Sequence, residues 1–124
     1  MKNAITYLDG ENKRIPLMLD MNVMAWAQEQ YGSIDAWQSM MIPADGGEPN
    51  LRVILVSLRE MINEAVDYLN DINNTNDPLY SEKAVGRLLT EVGLEKAVEG
   101  ITEATVSAVN TDEKNAETQQ TANL

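Results

Sequence analysis

Carboxylates are the most abundant reactive groups in this chain, and several stand one helical turn apart. Glu60 and Glu64 are spaced so, as are Glu91 with Glu95 and Glu95 with Glu99. A catalytic carboxylate pair needs one member whose pKa is raised by burial or by a close like charge. These acids fall on the solvent faces that the helical periodicity assigns, so solvated charge is the reading they support. The loop "PADGGEPN" has acids and glycines but lacks the alternating oxygen ligands and closing Glu of an EF-hand. Gly46-Gly47 is followed by no GKS or GKT, so it is no phosphate loop. Ser33, Ser39, Ser57 and Ser81 have no nucleophile motif around them. The sequence holds no Cys and no His. That excludes disulfides, zinc sites of the usual kind, thiol nucleophiles and imidazole-based triads. A non-enzyme with no cofactor or metal is expected.

The 124 residues carry a formal net charge of −11. Such a field repels nucleic-acid phosphates and anionic lipid heads, so neither nucleic acid nor membrane is an expected partner. Hydrophobic residues make up 44% of the chain, enough for a globular core. Phe is absent, so Leu, Ile, Val and Met must fill that core. The opening "MKNAITYLDG" has no run suited to a signal peptide, and no apolar stretch approaches a membrane span. A soluble cytoplasmic protein is expected, with one folded domain over residues 1–110.

The elements that would position any surface follow from periodicity. In "AITYLDGENKRIPLMLD", Ile5, Tyr7, Ile15, Leu17 and Leu19 alternate around "DGEN", which predicts a β-hairpin turning at Gly10 with positive φ. Pro16 predicts an edge strand or a bulge. Asp20 is a predicted N-cap for "MNVMAWAQEQY", Gly32 its left-handed stop, and Ser33 the cap of the next helix. That second helix carries Ile34, Trp37, Met40 and Met41 on one face. The Gly32-Ser33 break reads as a corner, with Trp26 and Trp37 in or near the core.

"IPADGGEPN" is a loop by composition. "LRVILVSLREMINEAVDYLND" is the strongest helix, with a stripe of Leu51, Ile54, Leu55, Leu58, Ile62, Ala65 and Leu69. Val53 and Val56 lie off that stripe. Arg52, Arg59, Glu60, Glu64 and Asp67 are placed toward solvent. Ser81 caps a helix striped by Val85, Leu88, Leu89 and Val92 and ended by Gly93. A last helix carries Leu94, Ala97, Val98, Ile101, Thr105, Ala108 and Val109. Gly100 within it either allows close approach or is merely tolerated. The polar "TDEKNAETQQTANL" predicts a disordered or weakly helical tail over residues 111–124. The fold class is mainly α with a small N-terminal β-hairpin (α+β): a bundle of about five helices packed on the hairpin.

Seven Met residues fill the place of Phe, and adjacent Met40 and Met41 cannot point the same way. Trp37, Met40 and Met41 at the corner and loop, with Val53 and Val56 on the central helix, are the candidate partner-binding residues.

The order of these elements resembles the tail assembly chaperones of long-tailed bacteriophages. "KRIPLMLDMNVMAWAQEQYGSIDAW" is similar to that family's strand, helix, Gly-Ser corner and acidic-aromatic helix start. "LRVILVSLREMI" resembles its central apolar helix, and "SEKAVGRLLTEVGLEKAVEGITEATVSAV" its "ExVGxLL" helix and Ala-rich successor. The resemblance covers roughly residues 12–110 and departs from the family pattern at "NEAVDYLNDINNTND", where the family's link is shorter. It implies a chaperone that binds the tape measure protein, keeps it soluble and promotes polymerisation of the tail tube protein. Such proteins act in the host bacterial cytoplasm and are absent from the mature virion; self-association is compatible. The alternative from another class is an acidic inhibitor or nucleic-acid mimic acting on a host enzyme, and a subunit retained in the particle is a third reading.

Overall fold

In the computed structural model, residues 5–122 are described, with side chains described from Ile5 to Ala108. Those residues form a two-stranded antiparallel hairpin packed against five helices. The expected tail over residues 111–124, and Val109, lie outside the described side chains.

The hairpin joins β1 (Ile5–Asp9) to β2 (Arg14–Met18). Tyr7 faces Pro16 and Leu8 faces Ile15, with a register that runs unbroken from Ile5↔Met18 to Asp9↔Arg14. Gly10 N–H donates to the Lys13 carbonyl at 2.8 Å, which makes residues 10 and 13 a hydrogen-bonded pair. By alternation, 8/15 and 6/17 are also hydrogen-bonded, and 7/16 is not. Pro16 therefore sits where a ladder bond is not required, on an edge strand and without a bulge. The turn departs from expectation, because Gly10 does not adopt positive φ. A Cβ there would stand at ordinary contact distance, 3.6 Å, from Glu91 Oε1 and the Lys13 carbonyl.

Helix α1 (Met21–Tyr31) begins at Asp20, whose carboxylate accepts from Val23 N–H at 3.1 Å. It stops at Gly32, with φ 91°, and Ser33 Oγ then accepts from Ala36 N–H to start α2 (Ile34–Met41). The corner folds α2 back on α1, so the Trp26 and Trp37 rings meet edge to face at 6.4 Å. Tyr31 extends the cluster at 5.9 Å from Trp26.

Helix α3 (Leu51–Asn73), capped by the Asn50 side chain, is the central element and touches β2, α1, α2 and α4. Its buried stripe is rotated from the expected one. Val53, Ile54, Ser57, Leu58, Met61, Ile62, Ala65 and Val66 face inward, whereas Leu51 is exposed. The rotation follows from α2: Trp37 Nε1–H donates to Ser57 Oγ at 2.8 Å, and both residues are fully buried. A pattern based on hydropathy assigns a serine outward, but here the indole needs it inside. Arg59, Glu60 and Glu64 are half-buried, not fully in solvent. Arg59 lies 3.6 Å from both Glu60 and Glu82, and Arg52 also pairs with Glu82, tying α3 to α4.

From α3 the chain turns at Asn74, which is left-handed with φ 52°, and returns through residues 75–81 without regular secondary structure. Asn63 donates to the Tyr80 carbonyl at 3.0 Å and accepts from Tyr80 N–H at 2.7 Å. Asn70 treats Asp77 the same way, at 3.0 Å for both bonds. Residues 63 and 70 are separated by about 10.5 Å of helix rise. Two side-chain amides on one helix thus hold the returning backbone at residues 77 and 80. Helix α4 (Glu82–Val92) follows its Ser81 cap, and Gly93, with φ 95°, ends it.

Helix α5 (Leu94–Ala122) lies over the hairpin. Ala97, Ile101, Ala104 and Ala108 are buried. Gly100 permits close approach, to the hairpin: a Cβ there would stand 3.3 Å from Leu8 Cδ1 and from Leu17 Cδ1.

Replacing Ser57 by Ala leaves the buried indole N–H without a partner. We expect a loss of about 1–3 kcal/mol in urea denaturation, with an unchanged m-value. A stability equal to that of the parent would mean that the hydrogen bond contributes nothing.

Candidate protein-binding face

The five residues singled out from the sequence separate on burial. Trp37, Met41 and Val53 are core residues, at 0%, 2% and 5% exposure. They are corrected here as contact residues: the indole is spent on Ser57, and Met41 and Val53 close the core between α2, α3 and their neighbours. Val56 is half-buried. Met40 is exposed at 39%, so of the adjacent methionines one points in and one out.

The structure exposes further apolar residues near the end of α2, among them Leu51, which the periodicity placed on the inward stripe. Ile42 follows α2 and is exposed, as are Leu51 at the start of α3 and Val106 on α5. Asn50 N–H donates to the Met40 carbonyl at 2.8 Å, which closes the 41–49 loop and brings Leu51 beside the end of α2. A groove between α2 and α5 is lined by Met41, Ile42, Ile101, Thr105 and Val106, with Asp35 and Gln38 at its rim. Ile42 and Val106 thus meet in one groove at the C-terminal end of α2, while Met40 and Leu51 are exposed on either side of the Asn50–Met40 backbone hydrogen bond. Val106 was legible only as an off-stripe valine. Ile42 was hidden in a loop that was read by its glycines and prolines.

The acids do not assemble into a reactive centre. Glu91, Glu95 and Glu99 are exposed, and Glu60 lies against Arg59. No group of three or more acidic side chains among the described residues could hold a metal ion. Among the described residues, Glu64 is the one carboxylate whose pKa shifts clearly, upward. Burial is the main cause; the nearby Asp20 charge adds to it and a hydrogen bond from Asn22 opposes it. Burial also raises the Tyr31 phenol. Glu64 lies beside the start of α1 and Tyr31, at its end, beside Trp26, and packing is the main cause of both shifts. No helix among the described residues is long and apolar enough to cross a membrane.

No protein-family model matches the chain, and no curated protein or solved structure matches it either.

Exchanging Met41 for Ser should cost about 2–5 kcal/mol, whereas Met40→Ser should stay within about 0.5 kcal/mol. Equal losses in chemical denaturation would contradict the in-and-out assignment. For Glu64, the folded state holds the proton more tightly than the unfolded chain. Its favourable contribution is complete below the unfolded pKa near 4.5 and is lost as pH rises through the higher folded value. Glu64→Gln should therefore flatten the fall in stability as pH rises above about 4.5, read from denaturation curves across that rise. An unchanged profile would contradict the shift.

Proposed function

We propose that this chain is a non-catalytic tail assembly chaperone of a long-tailed bacteriophage. In this reading it binds the tape measure protein in the host cytoplasm, promotes polymerisation of tail tube protein on it, and leaves before the virion is complete. One observation carries the proposal: the apolar side chains of Met40, Ile42, Leu51 and Val106 stay exposed, Ile42 and Val106 in one groove, on a chain whose net charge is −11. A protein that must hold apolar helices in solution needs both properties together. Apolar contact supplies affinity, and like charge keeps the loaded complexes apart. The order of hairpin, corner, central helix and Ala-rich final helix supports the same reading through the resemblance noted above. The candidate contact residues are now Met40 and Val56 from the sequence, joined by Ile42, Leu51 and Val106.

The test is co-expression with a tape measure protein and a tail tube protein encoded beside it. The tape measure protein should be soluble and co-purify with the parent chain. Met40→Ser combined with Ile42→Ser should cut its soluble yield about tenfold while leaving the melting temperature of the chain in place. Mass spectrometry of purified virions should detect no copies of the chain. A soluble tape measure protein without the chain, or retention of the chain in virions, would overturn the proposal.

A further inference from the structure

The hairpin has only two strands, and β1 pairs with β2 along one side. Because 6/17 and 8/15 are the hydrogen-bonded pairs, the backbone groups of Thr6 and Leu8 point toward β2. Those of Tyr7 and Asp9 point the other way. No hydrogen bond to these outward groups occurs among the described residues. Unpaired strand edges of this kind are templates for a further strand.

The edge of β1 opens into a groove whose far wall is α5, lined there by Val98, Glu99, Thr102, Glu103 and Val106. On the hairpin side, Arg14 is already engaged. Its guanidinium stacks 4.3 Å from the Tyr7 ring centre and lies 3.7 Å from Asp9. Glu99 and Glu103, one helical turn apart, are exposed and have no ion pair among the described residues. The groove thus combines free backbone donors and acceptors, apolar Val98 and Val106, and unbalanced negative charge.

We propose that the β1 edge takes an extended, lysine- or arginine-bearing peptide segment of another protein as a third strand, with its basic side chains on Glu99 and Glu103. The free amides require an extended backbone, since a helix has no donors or acceptors to offer along its flank. The two glutamates select for positive charge. A second copy of the chain would bring its own Asp9, Glu99 and Glu103 to the same place, and like charges oppose that pairing. The inference is independent of the chaperone reading and stands whether or not a tape measure protein is the partner.

The test uses the full chain and two eight-residue peptides, one alternating Lys with Val and one alternating Glu with Val. Binding is followed by fluorescence anisotropy, and amide exchange by nuclear magnetic resonance. The Lys peptide should bind at least about tenfold more tightly than the Glu peptide, a difference of about 1.4 kcal/mol. It should slow exchange of the Tyr7 and Asp9 amides. Tyr7→Pro removes the central outward donor and spares the β1–β2 ladder, so it should abolish that binding. Glu99→Lys with Glu103→Lys should weaken it about tenfold, whereas Glu29→Lys with Asp71→Lys, an equal change of charge elsewhere, should not. If Tyr7→Pro fails to fold, the two charge pairs and the exchange data decide. Equal binding of both peptides, equal effects of the two charge pairs, or binding without protection at Tyr7 and Asp9 would overturn the proposal. Concentration-dependent dimerisation that protects the same amides without peptide would overturn it too, by making a second copy the occupant.

Discussion

The hydrogen bond from the Trp37 indole to Ser57 sets the arrangement of the helices. A buried indole N–H needs an acceptor, and an unsatisfied one costs more than the bond itself contributes. Ser57 is the only buried polar side chain among the described residues, so α2 and α3 have one relative position in which the need is met. That position rotates α3, draws Val53 into the core and leaves Leu51 outside. It also explains the Gly32-Ser33 corner. The chain must reverse tightly enough for Trp37 to reach α3 while its ring meets Trp26 edge to face. With Phe absent from the chain, these rings carry much of the core's aromatic volume, and Leu, Ile and Met fill in around them.

Around this contact α3 does two jobs with two faces. One packs the apolar side chains of β2, α1 and α2. The other is polar and directional: Asn63 and Asn70 hold the returning segment, and Arg52 and Arg59 hold Glu82. The segment 75–81 is therefore specifically held although it has no regular secondary structure. The surface consequences are two. An apolar groove remains at the end of α2, and a strand edge remains on β1. Both touch Val106 of α5, which lines the groove on either side of that helix.

Much of this could be read from the residues in order. The caps at Asp20, Ser33 and Ser81 and the stops at Gly32 and Gly93 are local physics. Each depends on a side-chain oxygen or a positive φ within a few residues. The hairpin register follows from alternation, and the inward and outward split of Met40 and Met41 follows from adjacency on a helix. The rest depended on distance. No hydropathy pattern reports that Ser57 is needed by an indole 20 positions away, or that Asn63 and Asn70 hold the backbone of Tyr80 and Asp77. For the same reason Met41 and Val53 could be marked as apolar and special but not assigned to core or surface, whereas the core reading of Trp37 rested on its size alone.

The sequence by itself determined the classes of chemistry open to this protein and the order of its elements. Lacking Cys and His and carrying a net charge of −11, it excludes thiol and imidazole chemistry and disfavours anionic partners, because composition and long-range charge do not depend on how the chain folds. Only the tertiary structure decided which apolar residues are spent on the core and which remain at the surface, and which edge of the hairpin is left unpaired. Those are properties of contacts between distant residues: a side chain's exposure depends on what packs against it, and its hydrogen-bonding need on what lies within 3 Å of it.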